Sequence, residues 1–266
     1  MPAFGAGGSA GFALLAFRCG TIAAEAALFA EGRSGEISVP IPVFLILHRG
    51  RRVLFDAGLH PDIAVDESAR IGRVAKEFHN TLPPGETAAE RLRALDIDPA
   101  SIDTVVLSHL HYDHVGGIEQ IPNARLLVHT DEWAAAHDPE IQATGAYNPK
   151  DFDLGHEVAL VEGEHDVFGD GRVTVLPTCG HTPGHQSLRL RSATGEETIL
   201  AADACYFCNT LDDKRLPFYK HNPERQLRSL AFRRARRDAG ARIVPGHDPE
   251  FWDRLPQAPA AMISGR

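Results

Sequence analysis

Six consecutive residues constrain this chain more than any other part of it. Thr104-Val-Val-Leu107 reads as a short buried strand, and just beyond it come His109, His111, Asp113 and His114, within Ser108-His-Leu-His-Tyr-Asp-His114. Side chains alternate sides in an extended segment, so His109 and His111 point the same way and can grip one metal together. Asp113 and His114 follow once the chain has begun to turn, and they address a second metal beside the first. Gly116-Gly117 is expected to permit that turn by adopting backbone angles other residues resist. A structural zinc site usually closes on four ligands, and here the ligands outnumber the needs of one ion.

The rest of such a site must come from distant segments, and three candidates stand in loops next to apolar runs. His185 ends Cys179-Gly-His-Thr-Pro-Gly-His185, where Gly180, Pro183 and Gly184 force a tight loop. Asp203 follows Thr198-Ile-Leu-Ala-Ala202, and His247 ends Arg242-Ile-Val-Pro-Gly-His247. Polar residues at strand ends are where layered α/β folds tend to carry their sites.

Further apolar runs, Phe12–Phe17, Val43–Leu47 and Val53–Phe55, predict strands, with a hairpin connection at Arg49–Arg52. From His60 to Pro84 periodicity fades into an excursion with a short helix expected around Ile71–Phe78. Thr87-Ala-Ala-Glu90 is a capping box opening a helix to about Leu95. Leu126–Val128, Val173–Leu176, Ser187–Leu190 and Thr198–Leu200 read as strands and Glu132–Ala136 as a helix. Pro223–Ala239 is a helix capped by Asn222 and stopped by Gly240, and its arginines read as a solvated face. With no linker or repeat, the simplest organisation is one domain over 1–266, made of two α/β halves at about 1–125 and 126–266.

Composition narrows the class. A chain of 266 residues, 43% hydrophobic, can bury a core without covalent staples. A formal charge of -9 argues against nucleic acid and anionic membranes as partners, and no run reaches the length of a spanning helix. Four scattered cysteines make no disulfide framework, so a reducing, cytoplasmic location is expected, with the Cys205–Cys208 pair read as buried thiols.

The run His109-x-His111-x-Asp113-His114, followed in order by His185, Asp203 and His247, resembles the metallo-β-lactamase superfamily from Val43 to about His247. Within it the likeness is to the N-acyl homoserine lactonases, through Val39–Ile46, Val53–Gly58, Ser108–Gly117, Gly180–Leu188, Asp203–Tyr206 and Gly246-His-Asp248. The resemblance implies an αβ/βα sandwich of two mixed sheets flanked by helices. It implies that His109, His111 and His185 hold one metal, that Asp113, His114 and His247 hold the other, and that Asp203 bridges them. Zinc is the usual metal, and these ligands also suit iron, manganese or cobalt. Asp56 matches an acidic position that orients a ligand imidazole, and His181 is expected to be structural.

The implied reaction opens the lactone ring of N-acyl homoserine lactones, with a hydroxide between the two ions as nucleophile. Asp113 is the expected proton donor to the leaving oxygen, and Tyr206 the expected hydroxyl donor to the substrate carbonyl, while Tyr112, Phe207 and Phe218 are candidate walls for an acyl chain. A homodimer is a further expectation of the resemblance. Sister activities fit less well. Most β-lactamases proper replace either the counterpart of His114 or that of the Asp203 carboxylate, and the 19 residues after His247 are expected to leave no room for the C-terminal helical region of glyoxalase II enzymes. Hydrolysis of another ester, lactone or phosphotriester stays open, because the same centre serves it; a non-catalytic metal scaffold is the more remote alternative.

Overall fold

The apolar runs become strands, several of them longer than their sequence signals. The computed structural model describes residues 11–265, so the outermost parts of the expected 1–266 domain lie outside the described residues. The strands are β1 (Phe12–Glu25), β2 (Glu36–His48), β3 (Arg51–Phe55), β4 (His79–Thr81), β5 (Thr104–Val106), β6 (Arg125–His129), β7 (Val158–Val161), β8 (His165–Asp166), β9 (Val173–Pro177), β10 (Gln186–Arg191), β11 (Glu197–Leu200), β12 (Arg242–Val244) and β13 (Ala261–Gly265). β1 runs well past Phe17 because it has partners along its whole length. It pairs antiparallel with β2, with β13 at its start and with β4 near its end. A register shift between Arg18 and Thr21, where Gly20 has φ 92°, bends the strand without ending it.

The first sheet runs β13-β1-β2-β3-β5-β6-β7 with β4 added on β1, and the second runs β12-β11-β10-β9-β8. Both are mixed: β3, β5, β6 and β7 are mutually parallel, and β11 and β12 form a parallel pair. Strand alternation builds two cores from one sheet. Leu14, Ile46 and Phe55 face Val175, Leu188 and Leu200 of the second sheet, while neighbouring Leu15, Leu45 and Leu54 pack outward against Ala88, Leu92 and Ala136 of the covering helices. Leu211, Leu216 and Leu230 cover the outer face of the second sheet. The result is the expected sandwich of two mixed sheets between helices.

The division between sheets does not fall near residue 125. The first sheet extends through β7 at Val161 and takes back β13 from the C-terminal end, so the two halves are unequal. Strand pairing, which local sequence does not encode, decides that boundary. The helix expected at Ile71–Phe78 lies earlier, at Ile63–Ile71, because Gly72 at φ 60° ends it and a 3₁₀ turn, Gly72–Lys76, follows. Thr87 and Glu90 do form the capping box, with Glu90 N donating to Thr87 Oγ1 at 3.2 Å and Thr87 N to Glu90 Oε2 at 3.1 Å.

The long helix is Pro223–Asp238, capped by Asn222 Oδ1, which accepts Arg225 N at 2.9 Å. Its arginines are not all a solvated face. Arg233 is 0% exposed, with Gln226 and Leu230 beside it on the inner side, whereas Arg236 and Arg237 pair with Glu197 and Asp212. Cys205 is buried but Cys208 is exposed, so the two are not a buried pair. No helix among the described residues is long and apolar enough to cross a membrane.

Candidate metal centre and active site

All the strand-end candidates converge on one end of the sandwich. His109, His111, Asp113 and His114 sit in the loop and helical turn behind β5; His185 leads into β10; Asp203 follows β11; His247 follows β12. Asp203 lies at the centre. Its Oδ1 is 3.1 Å from His114 Nε2 and 3.0 Å from His247 Nε2, and its Oδ2 is 3.9 Å from His109 Nε2. Asp113 Oδ2 lies 3.3 Å from His114 Nε2 and 3.9 Å from His247 Nε2.

Four of the histidines share one arrangement, with Nδ1 anchored and Nε2 turned into the cluster. His109 Nδ1 donates to Ser108 Oγ at 2.9 Å, His114 Nδ1 to Asp56 Oδ2 at 2.9 Å, His185 Nδ1 to Thr178 Oγ1 at 2.8 Å and His247 Nδ1 to Pro40 O at 2.8 Å. Metal-binding histidines are usually held this way, because an occupied Nδ1–H fixes the tautomer and aims the other lone pair. The Nε2 atoms of His109, His114 and His185 are buried without a hydrogen-bond partner. Buried polar atoms are rarely left so, and a cation ligated there would satisfy them.

The charges point the same way. Burial holds His109 and His185 well below the usual histidine range, which keeps their lone pairs available. Burial alone would raise Asp203, but His114 and His247 outweigh it and hold the carboxyl well below its usual range. Reciprocally, Asp203 and Asp113 overcome burial and push His114 well up. Carboxylates so placed call for positive charge between them. Among the described residues, donor atoms close to within 4.8 Å in three groups: His109 with His111 and His181, His109 with His114 and Asp203, and Asp113 with His114 and His247.

His181, expected to be structural, therefore stands inside the cluster, its Nε2 being 3.2 Å from His111 Nδ1 and 3.3 Å from Asp203 Oδ2. Its Nδ1 is buried and unpartnered, unlike that of the four anchored rings, and its Nε2 is the nitrogen with partners, so the ring is not held with a bare Nε2 aimed at a cation. The anchored His185 is better prepared as a ligand, although its donor atom falls in none of the three close groups.

Two supporting acids orient these loops. Asp56, at φ 62° and 2% exposed, accepts Ser108 N at 2.7 Å and Ser108 Oγ at 2.8 Å besides His114. Glu132, in the helix Thr130–Ala136, was not among the expected site residues. Fully buried, it accepts Leu110 N and Tyr147 Oη through Oε1, and Gly184 N through Oε2, each at 3.0 Å. It thus ties the His109–His111 loop to the loop carrying His185. Its only sequence signal is an acid on the inner side of an otherwise apolar helix. Glycine's role also differs from expectation: neither Gly116 nor Gly117 has positive φ. They are needed for close approach, since a Cβ on Gly117 would lie 2.2 Å from Ala57 O and one on Gly116 2.5 Å from His60 N.

The cluster opens into a cavity of about 550 Å³. His111, Asp113, Asp203, Tyr206 and His247 form its floor, and Phe29, Val74, Phe78 and Tyr219 are among its apolar walls. Tyr112 lines it as expected, but Phe207 and Phe218 do not: Phe207 is buried beneath the Arg33 guanidinium, 4.0 Å above its ring, and Phe218 is 59% exposed. Tyr206 reaches the floor with its hydroxyl donated to Asp203 Oδ2 at 2.6 Å.

Two mixed sheets between helices, with histidines and aspartates gathered from four strand ends at the mouth of a cavity, define a class of metal-dependent hydrolases. The chain belongs to the metallo-β-lactamase superfamily, whose family model matches residues 39–247. It is 34% identical over 235 residues to N-acyl homoserine lactonase AttM of Rhizobium radiobacter, spanning 86% of this chain and 89% of that protein. It is 28% identical over 200 residues to N-acyl homoserine lactonase AiiA of Bacillus thuringiensis subsp. kurstaki, 73% and 75% of the two chains. Among solved structures, an N-acyl homoserine lactone hydrolase with N-hexanoyl-L-homoserine bound at its catalytic metal centre superposes with a TM-score of 0.83 at 23% identity, covering 94% of this chain and 98% of that one.

Proposed function

We propose that this protein is a dinuclear metal-dependent hydrolase that opens the lactone ring of N-acyl homoserine lactones. One observation carries the reading: a carboxylate-centred histidine cluster with unpartnered Nε2 atoms forms the floor of a largely apolar cavity, in a chain 34% identical to a lactonase over 86% of its length. His109, His111 and His185 would hold one ion, Asp113, His114 and His247 the other, with Asp203 between them. Zinc is the favoured metal.

Divalent ions at such a centre supply Lewis-acid polarisation of the carbonyl and water that is ionised near neutral pH. The protein's own groups do the rest. Asp113, which faces the cavity, takes a proton from water as it adds to the lactone carbonyl carbon, the ring C–O bond breaks, and Asp113 returns that proton to the freed alkoxide. Tyr206 donates to the carbonyl oxygen as charge develops, leaving Asp203 to do so. The apolar walls exclude water and receive the acyl chain. The four free cysteines fit a reducing, cytoplasmic compartment.

The test is turnover by the zinc-loaded protein, followed by proton release in a pH-stat, across acyl homoserine lactones, thioesters, aryl esters and phosphotriesters. The lactones should be the best substrates by kcat/KM. A phosphotriester or simple ester turned over faster than every lactone would replace this reading with its nearest rival.

A further inference from the structure

The helix Pro223–Asp238 meets the site from behind with a polar inner face. Gln226 Nε2 donates to Asp203 O at 3.3 Å, Ser229 Oγ donates to Cys179 O at 3.0 Å, and Arg233 stands one turn further on. Arg233 is fully buried, and among the described residues it makes no ion pair with a carboxylate. Its Nη1 donates to Ser229 O and its Nη2 to Ser187 Oγ, both at 2.6 Å. A buried guanidinium without an acid is unfavourable, so what it touches should explain its presence.

It touches the end of a hydroxyl chain. Three groups surround Ser187 Oγ: Arg233, which can only donate; Ala201 O at 2.9 Å, which can only accept; and Thr178 Oγ1 at 3.0 Å. Ser187 has one proton, and the carbonyl takes it. Thr178 can then give its proton to Ser187 at 3.0 Å or to His185 O at 3.4 Å, and either use leaves Thr178 Oγ1 an acceptor for His185 Nδ1 at 2.8 Å. The ring is thereby set as the Nδ1–H tautomer with its lone pair on Nε2, the atom that is buried without a partner.

We propose that Arg233 is a positioning residue for the metal centre: through Ser187 and Thr178 it fixes the direction of a buried proton chain that keeps His185 Nε2 free to bind a metal. This rests on the reading of His185 as a ligand. Without the guanidinium, Ser187 Oγ loses the charged donor that holds it against Ala201 O, so its hydroxyl can turn to Thr178 and the chain can reverse, which would protonate Nε2 in part of the population. The same logic gives a buried cation a role that helix packing alone does not require.

The test uses full-length protein stripped of metal and checked by circular dichroism, with the His185 ring nitrogens read by long-range ¹H–¹⁵N spectroscopy. Zinc affinity is then measured by competition with a chromophoric chelator. The parent should show Nδ1 protonated and Nε2 bare. Arg233→Met should mix the tautomers and weaken one of the two zinc sites by about 10-fold or more, and Arg233→Lys, which keeps a donor, should restore most of it. Should Arg233→Met not fold, Thr178→Val breaks the chain without touching the arginine and should weaken the same site. Nε2 protonated in the parent, or folded variants with the parent's tautomer and zinc affinity, would overturn the proposal. His185→Ala should lose one zinc; if it keeps both at parental affinity, the reading of His185 as a ligand fails first and takes the proposal with it.

Discussion

The Tyr206 hydroxyl donates to Asp203 Oδ2 at 2.6 Å, which places the expected carbonyl donor and the expected bridging carboxylate in one hydrogen bond three residues apart. The hydroxyl must leave this bond to serve a substrate, and Asp203 is then free to face cations. Tyr206→Phe removes that donor while the ring keeps its place beside His247, 5.0 Å between centroids. Loss of one oxyanion donor costs on the order of 10²-fold in other enzymes; with metals sharing the load, kcat on a homoserine lactone should fall roughly 10-fold. Metal content should hold, and an activated aryl ester should suffer less. Parental kcat on the lactone would remove Tyr206 from the reaction.

Metal stoichiometry is the most direct check on the centre. Seven ligands with one shared carboxylate should bind two ions per chain, measured by elemental analysis of protein prepared without chelators. Chelation should abolish activity and zinc should restore it. Full activity with one ion per chain would contradict a dinuclear site.

Asp203 should be the least replaceable ligand. Its Oδ1 lies within 3.1 Å of His114 and His247, assigned to one ion, and its Oδ2 lies 3.9 Å from His109, assigned to the other, so it joins the two sides of the cluster. Asp203→Asn halves the acceptor capacity and removes the charge, and it should cut activity severely and lower occupancy of at least one site. Retained activity would mean that another residue bridges.

Glu132 predicts a stability effect coupled to activity. Glu132→Gln places an amide NH₂ against either Gly184 N or the pair Leu110 N and Tyr147 Oη, donors that then go unmet. A buried group left so costs about 1–3 kcal/mol, and the urea midpoint should fall at unchanged slope. Zinc affinity should fall with it, because both histidine loops are released. An unchanged midpoint would show that the loops hold without this acid.

The two histidines of the Gly180–His185 loop should separate under mutation. His185, with Nδ1 anchored on Thr178, is the ligand, so His185→Ala should lose metal; His181, with Nδ1 unpartnered, should not be needed for stoichiometry. Equal metal loss in both variants would make His181 a ligand as well.

The sequence alone determined what depends on local order. Ligand types at alternating spacing behind an apolar strand, the Thr87–Glu90 capping box, the Asn222 cap and the apolar runs of β1, β2, β3, β5, β6, β9, β10 and β11 are legible because each is governed by residues a few positions apart. The tertiary structure decided the rest. β7 pairs with β6 and carries the sheet boundary beyond Val161, and β13 crosses back to β1 through pairings of residues more than 240 positions apart. Glu132 and Arg233 look like ordinary surface charges of helices until the loops they hold are brought beneath them, 52 and 46 residues away in the chain. Gly116 and Gly117 look like turn glycines but are fixed by the passing backbone of Ala57 and His60. A hydrogen bond or a steric limit between distant segments leaves no local period, so only the folded chain reveals it.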